Sequence, residues 1–141
     1  MKKEKSYIVI IPAYNEAESL TGLLTEIKQV LPDVPVMGIV TRLVAHKGLD
    51  LIKRIMWELL ESTDMQLVIL GSGDWEYEAF FKELAAAFPE KVGLRLGFIP
   101  DLARKIYAGS DMFLMPSKSE PCGLSQMVAL RYGSILAICL I

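Results

Sequence analysis

The chain has 141 residues, 15 basic and 17 acidic, for a formal charge of −2, and 52% of it is apolar. That length suits one domain with its own hydrophobic core; two domains facing each other across a cleft would need roughly twice as much chain. The balanced charge, with no basic stripe, excludes a nucleic-acid footprint, and no apolar run approaches the ~20 residues of a membrane span.

The polar start at residues 1–5 reads as a solvated tail, and the apolar run after it is too short for a secretory signal. Cys122 and Cys139 stand apart without metal-ligand spacing. They read as reduced thiols of a cytoplasmic protein that carries no metal and no cofactor.

In chain order, short apolar runs alternate with helical patterns. Residues 7–11 form a β-branched run closed by Pro12, which reads as a buried strand. Leu20, Leu23, Leu24, Ile27, Val30 and Leu31 share one helical face, and Pro32 closes that helix. A strand follows at 36–40, then an amphipathic helix on Leu49, Ile52, Ile55, Met56, Leu59 and Leu60. Residues 67–70 make a strand stopped by the Gly-Ser-Gly-Asp turn at 71–74. A helix on Tyr77, Phe80, Phe81, Leu84 and Phe88 precedes a strand at 92–98. Pro100 opens a short helix through Tyr107. Residues 112–115 form a strand ended by Pro116, 122–132 a helix stopped by Gly133, and 134–140 a final apolar strand.

Strict alternation of apolar strands and helices predicts an α/β fold: a three-layer αβα, Rossmann-like parallel sheet of about six strands with helices on both faces. The whole chain, 1–141, reads as one such domain. Ligands of such sheets sit beyond the C-terminal strand ends.

Three of those ends carry candidate chemistry. The loop at 117–125 follows a strand and opens a helix, whose free N–H groups and positive dipole end attract anions. Gly123 would admit a phosphate close to the backbone, and Glu120 could bond sugar hydroxyls or stabilise positive charge on a sugar ring. The plain alternative is a capped helix start with a solvated glutamate. Arg42 and Lys47, five residues apart after a strand, could clamp a pyrophosphate, though exposed cation pairs are common. Gly71 and Gly73 lack a full phosphate-loop spacing and read as a tight turn, with backbone approach to a nucleotide base as the functional option. His46, the one histidine, reads as a surface loop residue, and Trp57 and Trp75 as packing residues.

Taken together, the strings Thr-Arg-Leu-Val-Ala-His-Lys-Gly-Leu-Asp at 41–50, Leu-Val-Ile-Leu-Gly-Ser-Gly-Asp at 67–74, Ile-Tyr-Ala-Gly-Ser-Asp at 106–111 and Pro-Ser-Lys-Ser-Glu-Pro-Cys-Gly-Leu-Ser-Gln at 116–126 have a clear likeness. With Ala-Leu-Arg-Tyr-Gly at 129–133, residues 38–133 resemble the C-terminal, nucleotide-sugar-binding domain of glycogen and starch synthases, retaining glucosyltransferases of GT-B fold. The resemblance implies that Arg42 and Lys47 hold the donor diphosphate and that Glu120 meets the donor glucose. It implies that Cys122, Gly123 and Leu124 contact phosphate and sugar, and that weak ADP or ADP-glucose binding survives; UDP-glucose is the other family donor. The departures are Val128 for a ribose-side tyrosine, His46 for glutamine and Ser119 for an aromatic. The N-terminal half of such an enzyme has no counterpart here, so transfer by this chain alone is not expected.

Residues 6–35, with Pro-Ala-Tyr-Asn-Glu at 12–16, resemble instead the opening βα unit of inverting GT-A transferases of the dolichyl-phosphate mannose synthase type. That family's paired aspartates and metal-binding Asp-x-Asp do not follow. The expectation is a chimera joined within the strand at 36–40, and the apolar ending at 134–141 adds the reading of a truncated, recombined or engineered scaffold without selected function. The strand at 7–11 is expected to insert between those at 36–40 and 112–115, or to exchange between two chains. The apolar composition also raises a homo-oligomer.

Overall fold

The computed structural model describes residues 34–118 and 122–138. The expected elements at 7–11 and 20–31, and Glu120, lie outside the described residues. Among the described residues five strands, β1 (Val36–Val40), β2 (Gln66–Gly71), β3 (Val92–Leu96), β4 (Met112–Met115) and β5 (Ile135–Ile138), alternate with four helices. These are α1 (Leu49–Ser62), α2 (Trp75–Ala87), α3 (Pro100–Gly109) and α4 (Leu124–Arg131).

Every strand pairing is parallel, in the order β3-β2-β1-β4-β5. The sheet therefore has two apolar faces, which explains why its strands read as unbroken apolar runs. Met37, Ile39, Met112 and Leu114 join the larger core with α1 and α2. Phe113, Met115 and Leu136 join a smaller core with Tyr107 of α3 and Ala129 of α4. Successive residues of β4 thus serve opposite layers, as the period of two requires.

Local chemistry fixes the helices. α1 buries Leu49, Ile52, Ile55, Met56, Leu59 and Leu60, each worth roughly 1.5–3 kcal/mol relative to exposure. Its end is closed by Thr63, whose hydroxyl donates to the Leu59 carbonyl at 2.7 Å. Lys91 then donates to the Leu60 and Thr63 carbonyls, both at 2.8 Å, so acceptors orphaned by the helix end are satisfied. α3 starts at Pro100, where the missing N–H costs nothing.

Some expectations are corrected. The place beside β1 is taken: Met37 pairs with Met112 and Gly38 with Phe113, so no strand inserts between β1 and β4. Asp111 reinforces that closure, its side chain accepting from the Val36 N–H at 2.8 Å. β3 ends at Leu96 rather than 98 because Gly97, at φ 125°, turns the chain. Trp75 is 80% exposed and packs on no core, whereas Trp57 does pack, edge-on to Phe88 at 5.4 Å.

Candidate functional site

The strand order reverses between β1 and β4, and in a doubly wound sheet the loops diverge there and leave a crevice. An open cavity of about 470 Å³ lies at that end of the sheet. Val40, Leu70 and Met115 line it from the strand ends, Ala103 and Tyr107 from α3. Thr41, Arg42 and Lys47 line it from the β1–α1 loop, and Gly71 and Ser72 from the turn after β2. Gly97, Phe98, Pro100 and Arg104 close the far side, and Ser125 and Val128 of α4 complete it. Three cations and no carboxylate are among these residues.

The direction of Arg42 follows from its neighbours. Leu43 is fully buried, and its backbone is locked to the next turn. Its N–H donates to the Ser72 carbonyl at 2.9 Å, and its carbonyl accepts from Asp74 N–H at 2.8 Å. With Leu43 held in the core, Arg42 is left exposed and lines the cavity. Among the described residues Arg42 forms no ion pair.

Gly71 and Gly73 owe their identity to this packing. A Cβ on Gly71 would overlap the Thr41 carbonyl oxygen, and one on Gly73 the Leu43 carbonyl oxygen. Gly71 lines the cavity; Gly73 does not.

Lys47 ends a single 3-10 turn, Ala45–Lys47, and Gly48 follows in the left-handed region at φ 70°. His46 is exposed, and its carbonyl accepts from Lys118 N–H at 2.9 Å. Asp50 sits in the first turn of α1. Burial raises its carboxyl pKa, but the hydrogen bond and charge of Lys118, with the N–H groups of Asp50 and Leu51, outweigh burial and leave it lowered.

On the other side of the crevice, Gly123 at φ 60° precedes α4. Among the described residues no side chain caps its first N–H groups. Cys122 and Leu124 are exposed beside it. None of Cys122, Gly123 and Leu124 lines the cavity; Ser125 and Val128, further along the same helix, do.

The structure thus unites Arg42, Lys47 and Gly71 and leaves Gly73, Cys122, Gly123 and Leu124 at or behind the margin. Sequence reasoning gave no role to Arg104 or Tyr107, and it singled out neither Phe98 nor Ser125 within the strand-end loops that contain them. The usable signal was position: Phe98 follows a strand end, and Arg104 and Tyr107 are one helical turn apart on a helix starting there. Arg104 is itself paired with Asp101. Among the described residues no group of His, Cys, Asp or Glu could hold a metal ion, and no helix is long and apolar enough to cross a membrane.

A parallel sheet whose strand order reverses at a lined cavity is a doubly wound α/β architecture, and comparison with known families makes the class specific. The family described as glycosyl transferases group 1 matches residues 24–138, and the chain belongs to it.

Within that family the chain is similar to bacterial glycogen synthases. It is 60% identical to that of Geobacillus thermodenitrificans over 103 residues, 73% of this chain and 21% of the relative. It is 51% identical to that of Desulforudis audaxviator over 121 residues, 86% of this chain and 24% of the relative. Among solved structures, the catalytic domain of starch synthase IV from Arabidopsis thaliana, bound to ADP and acarbose, aligns with a TM-score of 0.67 at 35% identity. That alignment covers 88% of this chain and 26% of the plant one. The chain therefore spans about a fifth to a quarter of the length of the relatives it matches.

The sequence resemblance to glycogen and starch synthases is borne out. The second resemblance concerns residues 6–35, of which only 34 and 35 are described, and the family match begins at residue 24, inside that segment.

Proposed function

We propose that this chain is the donor-holding half of a glucosyltransferase and binds the nucleoside diphosphate of ADP-glucose or UDP-glucose. The observation that carries the reading is the cavity at the switch point, lined by Arg42, Lys47 and Arg104 without a carboxylate. Arg104 is already met by Asp101, but Arg42 keeps the lining favourable to an anionic ligand, and a guanidinium matches phosphate oxygens in pairs. The start of α4 supplies further donors for an anion. Similarity to glycogen synthases, and to a starch synthase solved with ADP, supports the choice of nucleotide.

In this reading Arg42 and Lys47 neutralise the diphosphate, Glu120 meets the glucose, and the backbone at Cys122, Gly123 and Leu124 contacts phosphate and sugar. Gly71 faces the base, and Gly73 supports that turn. Transfer needs an oriented acceptor and exclusion of water. The chain alone holds the donor and does not turn over, acts in the cytoplasm, and forms one Rossmann-like domain across 1–141. Its 6–35 segment derives from a GT-A transferase and 38–133 from a GT-B one; support for the chimera is the Pro-Ala-Tyr-Asn-Glu string upstream of the family match at 24.

Isothermal titration with ADP tests both readings. The native chain is expected to bind with Kd near the millimolar range, or about 4 kcal/mol. Arg42→Ala should weaken it at least about tenfold by removing a charge-assisted contact. Asn15→Ala should leave it unchanged, since a passenger segment contributes nothing to the site. No heat with the native chain refutes donor binding; a loss with Asn15→Ala refutes the passenger role.

A further inference from the structure

We propose that Asp50 and Lys118 are positioning residues that hold the two loops of the crevice at a fixed separation. The contact between them is independent of the donor-binding reading; its consequence for ligand affinity rests on that reading.

The need for such a device follows from the topology. β1 and β4 are neighbours, but their ladder covers only Met37 with Met112 and Gly38 with Phe113. Beyond it the chain diverges: α1 packs with one core and α4 with the other. Strand hydrogen bonds therefore do not set how far the β1–α1 loop, with Arg42 and Lys47, stands from the segment leaving β4.

Three contacts bridge the gap instead. Lys118 N–H donates to the His46 carbonyl at 2.9 Å. Lys118 Nζ donates to Asp50 Oδ2 at 2.8 Å, across 68 positions of chain. Between them Gly48 lies against Pro116 so closely that a Cβ would overlap the Pro116 carbonyl oxygen. Residues 46, 48 and 50 thus grip residues 116 and 118, and Lys47 is carried inside the grip.

The ion pair is half-exposed, 41% at Lys118 and 48% at Asp50. Pairs so open to solvent contribute little to global stability. A role in spacing two loops predicts a different signature: a local change at the crevice with little change in melting.

The experiment uses Asp50→Asn, Lys118→Met and the charge-swapped Asp50→Lys/Lys118→Asp. Amide exchange is read at Lys118, with ADP titration alongside. Each single variant should speed exchange of the Lys118 amide about tenfold while sheet amides keep their protection. Melting should stay within about 2 °C, ADP affinity should fall several-fold, and the swapped pair should recover both. Unchanged exchange at Lys118, or equal loss of protection across the sheet, overturns the proposal. Faster exchange with unaltered ADP affinity also overturns it. If the native chain binds no ADP, donor binding fails on its own and the exchange result still decides the spacing role.

Discussion

Asp50 shows how one side chain serves two neighbours. It stands in the first turn of α1, where a negative charge complements the helix dipole, and it also takes the Lys118 ammonium at 2.8 Å. The net effect lowers its carboxyl pKa below the ordinary value of 3.8. A group with a depressed folded-state pKa stabilises the fold above its unfolded value and loses that contribution as pH falls through the folded value. The contribution is therefore intact at neutral pH and disappears only below about pH 3.8. Solvent screening of this half-exposed pair limits it to about 0.2–1 kcal/mol. A carboxyl-detected NMR titration should place Asp50 below 3.8, and Lys118→Met should move it upward. No movement would mean that the helix start, not Lys118, holds the carboxylate.

At the scale of elements, the contact of α3 with β1 depends on an absent side chain. Gly38 lies in the middle of β1, and a Cβ there would overlap the hydroxyl of Ser110. That hydroxyl is itself committed, donating to the Ile106 carbonyl at 2.6 Å near the end of α3. Gly38→Ala should therefore push α3 off the sheet and cost about 1–3 kcal/mol, the usual penalty of overpacking. Adding Ser110→Ala removes the obstructing oxygen and should return part of the loss. Urea unfolding of the two single variants and the pair measures this coupling; strict additivity would refute it.

Elements were the most legible level in the sequence. β1, β2 and β4 announced themselves because both faces are buried, and α1 because its six buried residues keep a helical spacing. The boundaries that moved did so at glycines. Gly97 cut β3 short, and Gly123, in the left-handed region, set the start of α4 at Leu124 rather than 122. Composition marks such residues as turns but does not say which side of the turn the element stops. Trp75 misled because a large apolar ring suggests packing, while its place at the first position of α2 leaves it in solvent. In the cavity, Arg42, Lys47 and Gly71 were legible because Gly71 ends a strand and Arg42 and Lys47 belong to the loop that leaves one. Arg104 was not, because its approach depends on how α3 leans over the sheet. That is a tertiary fact with no local spacing to report it.

The whole molecule presents an uneven surface. Leu124, Met127, Val128, Leu130 and Tyr132 are all exposed, and all belong to α4 or its end. Clustered apolar side chains of this kind favour association. The apparent mass in gel filtration with light scattering should rise above that of the monomer with concentration. The double change Leu124→Gln/Met127→Gln should suppress that rise with a stability change under about 0.5 kcal/mol, since neither side chain is buried. A constant monomer mass at all concentrations would remove self-association from the account.

The central position of β1 also sets a clock for synthesis. Its partner on one side, β2, follows after a single helix, so β1, β2 and β3 can assemble with α1 and α2 as a local unit. Its partner on the other side is far away: Asp111, which receives the Val36 N–H, lies 75 positions downstream. At about 5–20 residues per second a ribosome takes roughly 4–15 s to cover that distance. During that interval one edge of β1 lacks the partner it has among the described residues, and the chain is at its most vulnerable to pairing with a neighbour. Asp111 and β4 are the closure that ends this exposure. Weakening them should speed unfolding and leave the folding rate nearly unaltered.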